Sequence, residues 1–216
     1  MNEINNIFKD KVILITGHTG FKGSWLTLWL KELGAKIIGY SNDIPSTPST
    51  YEVLKLKEQI IDYREDITDI EKLRNVIGKH NPDFIFHLAA QPLVKNSYED
   101  PLMTIETNAI GSSKLLEVIR NFNKPVTVIM VTSDKVYENN ESNKGYIESD
   151  RLGGGDPYSA SKAMTELAIN TYIKSFFNES DSLTSIGIVR AGNVIGGGDW
   201  AFNRIGPDCI RAWSDD

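Results

Sequence analysis

An α/β fold built on a doubly wound parallel sheet is predicted by three features of the 216-residue sequence. Short apolar runs rich in Val and Ile recur along the chain, and they read as strands buried on both faces. Longer segments between them carry apolar residues at helical spacing, so strand and helix alternate and the strands are joined by crossovers. The first two strands flank a glycine-rich turn. Six strands are visible on this reading.

The first unit is KVILITGHTGFKGSWLTLWLKELGAKIIGY, Lys11 to Tyr40. Val12 to Ile15 is a strand, followed by the turn Thr16-Gly17-His18-Thr19-Gly20-Phe21-Lys22-Gly23. Leu26, Leu28, Trp29, Leu30 and Leu33 then follow a helical rhythm, Gly34 stops the helix, and Ala35 to Tyr40 returns to strand. Glycines let the backbone turn tightly and approach a pyrophosphate, whose charge is favoured by the free N–H groups at the helix start. The spacing is G-x-x-G-x-x-G, one residue longer in its first gap than G-x-G-x-x-G. Such a turn also occurs in α/β proteins that bind no nucleotide. Strand before it and helix plus strand after it favour a dinucleotide site, and with it a sheet of Rossmann type.

Composition narrows the class. A chain of this length, 40% hydrophobic, can bury one good core. A net charge of −6 gives no reason to expect nucleic acid or an anionic membrane as partner. The lone Cys209 forms no internal disulfide framework and suits a reducing compartment. No apolar run reaches the ~20 residues of a membrane span. MNEINNIFKDK has no apolar core of a secretory leader. His18, His80 and His87 lack Cys or carboxylate neighbours at ligand spacing, so no metal is expected. The expected location is the cytoplasm.

The remaining elements follow in order. Strand two ends at Ser41, where NAD-binding units usually carry an acidic residue for the ribose diol, and Asp43 stands two positions on. NAD and NADP both stay open at that slot, and the lack of Arg in the Ser41–Thr50 loop favours NAD. Gln59 to Tyr63 is a third strand, ending in Arg64-Glu65-Asp66-Ile67. Asp69 caps a helix running to Lys79. Phe84 to Ala90 is the fourth strand with its C-terminal end, and His87 reads as a packed histidine. Gln91 to Glu99 reads as a loop, and Pro101 opens a long helix through Phe122 that contains Asn108. Pro125 to Thr132 is the fifth strand, and Ser133-Asp134-Lys135 stands at its end. A polar, glycine-rich connection from Asn139 to Asp156 is long enough to be functional. Pro157 begins a helix through Phe177, and Ser185 to Val189 is the sixth strand.

Tyr158 and Lys162 lie one turn apart on one face of that last helix. A cation beside a phenol lowers its pKa and makes it usable as a base near neutrality. Taken alone, Y-x-x-x-K is two surface side chains. One helix beyond a strand-end Ser133, in a chain that opens with this glycine turn, it reads as a catalytic set.

The turn T-G-x-x-G-F-x-G, Ser133 and Tyr158-x-x-x-Lys162 together resemble the extended short-chain dehydrogenase/reductase superfamily. Three stretches are most similar to its nucleotide-sugar 4,6-dehydratases that take CDP-glucose. They are GHTGFKGSW, TSDK with Lys135 where dTDP-sugar relatives carry Glu, and RAGNVIGGGDWA from Arg190 to Ala201. The likeness runs from about Lys11 to the end. The Asn139–Asp156 connection departs from it, lacking the tryptophans and the Tyr-Arg-Glu that the family pattern carries there.

The resemblance implies a hydro-lyase of deoxysugar and O-antigen biosynthesis, with bound NAD, forming CDP-4-dehydro-6-deoxyglucose. It gives the dinucleotide to Gly17, His18, Thr19, Gly20, Phe21, Lys22, Gly23, Asp66, Ile67, Leu88, Ala89, Ala90, Asn108, Tyr158 and Lys162. Gln91, Ser133 and Asn193 are given to the substrate. Ser133, Asp134, Lys135, Tyr158 and Lys162 are the implied catalytic residues. Tyr158, its pKa lowered by Lys162 and the positive nicotinamide, is the redox base, Lys135 the C5 base, and Asp134 the acid for the 6-hydroxyl. The resemblance further implies a homodimer or homotetramer when complete. It divides the chain into a dinucleotide-binding domain, 1–191, and the start of a substrate-binding region, 192–216, with most of that second domain absent, so a fragment or shortened product is expected. Two rival readings remain: an epimerase or reductase using the same Ser–Tyr–Lys set, and a dinucleotide-binding regulator without turnover.

Overall fold

The computed structural model describes residues 6–141, 143–179 and 182–214. Met1 to Asn5, part of the stretch read as carrying no secretory leader, and the final Asp215-Asp216 lie outside the described residues.

Six strands form one parallel sheet: β1 (Val12–Thr16), β2 (Lys36–Ser41), β3 (Ile61–Arg64), β4 (Phe84–His87), β5 (Val126–Val131) and β6 (Thr184–Val189). Their order is β3-β2-β1-β4-β5-β6. The direction of winding reverses between β1 and β4, and the crevice beyond the carboxyl ends of those two strands is where ligands of such sheets sit.

The strands are apolar throughout because both faces are covered. Successive side chains point to opposite faces. Leu14 therefore packs with Ile38, Ile85, Leu115 and Val128 on one side, while Ile13 and Ile15 pack with Leu30 and Ile37 on the other. The second face is covered by α1 (Phe21–Glu32). The residues of α1 that it buries are Gly23, Ser24, Thr27 and Leu30, whereas Trp29 and Trp25 are exposed. Small residues face the sheet because the helix starts hard against the glycine turn. The apolar stripe read from sequence is corrected at Trp29.

A short helix, α2 (Thr50–Val53), follows β2. Asp69 caps α3 (Ile70–His80), accepting from the Lys72 amide at 3.1 Å. The segment read as a loop at Gln91–Glu99 contains a helix, α4 (Val94–Glu99). The Gln91 side chain organises its start, donating to Leu93 O at 2.9 Å. Helical periodicity had too few residues here to register. The long helix expected over Pro101–Phe122 is α5 (Pro101–Ile105), a wide π-type turn (Glu106–Ile110) and α6 (Gly111–Arg120). Asn108 sits in the wide turn. Its carbonyl accepts from Ser112 Oγ at 2.6 Å and Thr165 Oγ1 at 3.0 Å. α7 (Pro157–Tyr172) is capped by Asp156 and continues into a second wide turn, Ile173–Phe177.

Beyond β6 the chain crosses back over the carboxyl edge of the sheet. Trp25 Nε1 donates to Gly197 O at 3.0 Å, and Thr50 Oγ1 to Gly198 O at 2.6 Å. The last element, α8 (Ile205–Ser214), buries none of its residues. Among the described residues no helix is long and apolar enough to cross a membrane.

Candidate active site

The glycine turn is shaped by close backbone approach. Gly17 has φ +71°, and a Cβ there would stand 2.7 Å from Ala89 N, so the turn lies directly against the end of β4. A Cβ on Gly23 would stand 2.1 Å from Gly17 O, which is how α1 can begin on top of the turn. Gly20 caps α1 without a side-chain hydrogen bond, leaving first-turn N–H groups facing the crevice. Past the Leu88 amide, which still bonds to Thr16 O at 3.1 Å, the Ala89 amide turns to Thr16 Oγ1 at 3.2 Å. The fourth strand therefore stops at His87.

These elements enclose a cleft of about 600 Å³. Gly17, Thr19, Gly20, Phe21, Lys22, Gly23, Asp66, Ile67, Leu88, Ala89, Ala90 and Gln91 all line it, as expected for a dinucleotide crevice. So do Gly198 to Arg204 from the segment beyond β6. His18 and Asn108, expected at the cofactor, stand behind the cleft. The buried His18 ring turns toward β3, with Nε2 2.8 Å from Asp62 Oδ1. Burial lowers its pKa, and Asp62 opposes the shift. Asn108 Oδ1 accepts from the Gln91 amide at 2.8 Å, and its Nδ2 donates to Ser161 Oγ at 2.8 Å. It holds the cleft backbone and works through that backbone. The Gln91 side chain is engaged with Leu93 and Thr104, while Asn193 is exposed on the segment after β6.

At the adenosine end, Thr19 Oγ1 donates to Asp43 O at 2.6 Å and lies 2.8 Å from Ser41 Oγ. With the Thr19 proton committed, the Ser41 hydroxyl is the donor of that pair. Arg64 also stands here, because β2–β3 register sets it opposite Ser41. It donates to Asp43 O at 3.2 Å and to Asp62 Oδ2 at 3.1 Å. Its guanidinium covers the Tyr51 ring at 4.7 Å. The loop itself has no Arg, yet a neighbouring strand brings one to it, which spacing along the chain does not reveal.

The catalytic candidates meet at the end of β5. Ser133 caps the turn Asp134–Val136, its Oγ accepting from the Lys135 amide at 3.2 Å. Tyr158 and Lys162 face it from α7, both buried. Burial raises the Tyr158 pKa, Ser133 and Arg204 oppose this, and Asp134 and Asp156 add to it. Burial pushes Lys162 down to about 8, with Lys22 across the cleft adding to the shift. Lys162 stands beside the phenol. Its Nζ lies 5.9 Å from the ring centroid, over the face of the ring, and desolvation of the phenol prevails. Asp134 and Lys135 form an ion pair, Oδ2 to Nζ 3.6 Å, with each side chain about half exposed.

Sequence reasoning missed the group behind these residues. Glu166, fully buried, accepts from Thr132 Oγ1 at 2.6 Å and from Arg190 Nε at 2.8 Å. Arg190 also donates to Tyr137 OH at 2.8 Å. One signal was available: Tyr158, Lys162 and Glu166 follow at helical intervals on one face.

A family model described as GDP-mannose 4,6 dehydratase matches residues 14–181. A CDP-glucose 4,6-dehydratase of Salmonella typhimurium is 46% identical over 97% of this chain and 59% of its own length. An epimerase structure from Methanothermobacter thermautotrophicus superposes with a TM-score of 0.81 at 26% identity, covering 98% of this chain and 60% of that one. A dTDP-glucose 4,6-dehydratase from Streptomyces venezuelae, solved with NAD, shares the fold with a TM-score of 0.80 at 23% identity, covering 94% and 62%. The chain thus spans about three fifths of the length of these relatives. With residues 14–181 matched by that model and the 46% identity over 97% of the chain, the chain belongs to the GDP-mannose 4,6 dehydratase family, within the extended short-chain dehydrogenase/reductase superfamily.

Proposed function

We propose that this protein is an NAD-dependent hydro-lyase that converts CDP-glucose to CDP-4-dehydro-6-deoxyglucose, a step of deoxysugar biosynthesis in the cytoplasm. One observation carries the reading. Two reactive sets adjoin at the end of β5, the Ser133–Tyr158–Lys162 cluster and the Asp134–Lys135 pair, in a chain 46% identical to a CDP-glucose 4,6-dehydratase.

The cleft suits a dinucleotide, since Gly17 and Gly23 leave no room for a Cβ and bring backbone N–H groups to its floor. NAD held by the glycine turn and the end of β4 would supply a hydride acceptor at C4 and a hydride donor at C6. Tyr158 takes the proton of the 4-hydroxyl, and Ser133 holds the same oxygen. Burial raises the phenol pKa and Arg204 opposes it. Positive charge from Lys162, one turn away, and from the nicotinamide would further favour deprotonation of the phenol. The 4-ketone acidifies the C5 proton, which Lys135 removes. Transfer of the Lys135 proton to Asp134 within their pair readies both for this step. Asp134 gives that proton to the departing 6-hydroxyl, so that water leaves, and Lys135 returns to C5 the proton it took as hydride reaches C6.

Residues 1–191 form the dinucleotide-binding part on this reading, and residue 192 begins the substrate region. A homodimer or homotetramer is supported by Leu102, Ile110 and Leu167, large apolar side chains exposed on the helices around α5 to α7. The likeness to an epimerase structure favours epimerisation as a second reading, against which the Asp134–Lys135 pair argues.

Incubation with NAD and CDP-glucose tests the reaction. A product lighter by one water is expected, and an isomer of unchanged mass or untouched sugar contradicts it. Titration with each dinucleotide tests the cofactor. NAD is expected to bind tighter than NADP, because Arg64 is already committed to Asp62 and Asp43. It should nonetheless bind more weakly than to relatives with a carboxylate at Ser41. Tighter NADP binding contradicts the preference.

A further inference from the structure

The carboxylate of Glu166 is fully buried and belongs to none of the reacting groups. Thr132, Arg190 and Tyr137 tie it to three elements. Thr132 immediately precedes Ser133, and its hydroxyl donates to Glu166 Oε1 at 2.6 Å. Arg190, at the end of β6, grips both carboxylate oxygens, with Nε at 2.8 Å from Oε1 and 3.1 Å from Oε2. The same guanidinium donates to Tyr137 OH at 2.8 Å and lies 4.6 Å from the centre of that ring. Tyr137 closes the far side of the Asp134–Val136 turn and stacks on Tyr146 at 4.6 Å. Glu166 itself lies one helical turn beyond Lys162 and two beyond Tyr158.

The network thus joins the two halves of the site at a point that touches neither. The turn is also held by backbone bonds, from the Thr132 amide to Val189 O at 2.8 Å, from the Asp134 amide to Ala191 O at 3.1 Å and from the Gly153 amide to Val136 O at 2.9 Å. The first two attach the turn to β6, and toward α7 Ser133 itself meets the Tyr158 hydroxyl, which the buried fork reinforces from behind. A buried ion pair is a poor source of stability against apolar side chains of similar size, whereas a bidentate fork fixes direction and distance. From this geometry we infer that Glu166 and Arg190 are positioning residues. They fix the Ser133-Asp134-Lys135 turn against the helix of Tyr158 and Lys162, so that both sets act on one bound sugar. The inference rests on the proposed dehydration, which needs two chemistries in register.

Glu166→Gln and Arg190→Lys test it, since each keeps the size of the side chain and loses the fork. Hydrogen exchange on the protein needs no substrate. The amides of Asp134 and Lys135 are expected to lose protection in both variants, while those of α7 from Ser161 to Thr165 keep it. Loss of protection in α7 to the same extent shows a merely structural role and overturns the inference, as does an unchanged turn. With NAD and CDP-glucose, C4 oxidation is expected to persist as accumulating NADH while water loss falls about a hundredfold, as for a group displaced from its reacting atom. Equal falls in both steps overturn it. If the unaltered protein forms no NADH from CDP-glucose, the proposed function fails, and the exchange result alone decides the positioning role.

Discussion

Lys135→Ala is expected to abolish water loss and still form bound NADH on mixing with CDP-glucose, whereas Tyr158→Phe blocks both steps. The separation follows from placement. Lys135 lies on the short turn after Ser133, paired with Asp134 and half exposed. Tyr158 and Lys162 are buried on α7. Removing a general base costs about a hundredfold to ten-thousandfold, so elimination falls by that factor while C4 oxidation keeps its own base. Absorbance of NADH and quantification of the keto sugar read the two steps separately. A Lys135→Ala protein that forms no NADH removes the support for Lys135 as the C5 base.

Acid is expected to destabilise this fold through His87, by on the order of 5 kcal/mol between neutral pH and the pKa of that residue. His87 Nε2 lies 2.8 Å from Ser112 Oγ, whose own proton goes to Asn108 O. Nε2 is therefore the donor of its pair, and Nδ1, 2.7 Å from Thr16 Oγ1, is the acceptor. A second proton breaks the Thr16 bond and places a charge in the core near Lys162. Burial, with Lys162 adding, pushes the His87 pKa from 6.5 to about 3. The unfolded chain binds the extra proton below 6.5, so stability is complete above that pH. It falls by about 1.4 kcal/mol per unit until about pH 3, where the folded state also titrates. Urea unfolding of the protein and of His87→Gln across this range checks it. The variant is expected to lose this part of the slope, and parallel slopes contradict the assignment.

The fold was legible because its signals are local. Val12–Thr16 and Val126–Val131 are apolar runs that only a doubly covered strand requires, and Asp69 and Asp156 announce the helices they cap. The glycine turn was legible for the same reason. What escaped depends on tertiary approach. Arg64 reaches the Ser41 loop through strand register, and His18 points behind the cleft because Asp62 offers a partner on β3. The wide turn at Asn108 arises from hydroxyls of Ser112 and Thr165 competing for its carbonyl. Spacing gives the proximity of Lys162 to Tyr158 and says nothing of the burial that raises the phenol pKa.

The central claim is that a redox set and an acid–base pair act in turn on one bound sugar. CDP-glucose deuterated at C4 tests it most directly. The label is predicted to appear at C6 of the 4-keto-6-deoxy product with no net use of added dinucleotide, and in heavy water solvent deuterium enters at C5. Return of the label to C4, or a product whose formation consumes stoichiometric dinucleotide, contradicts the claim.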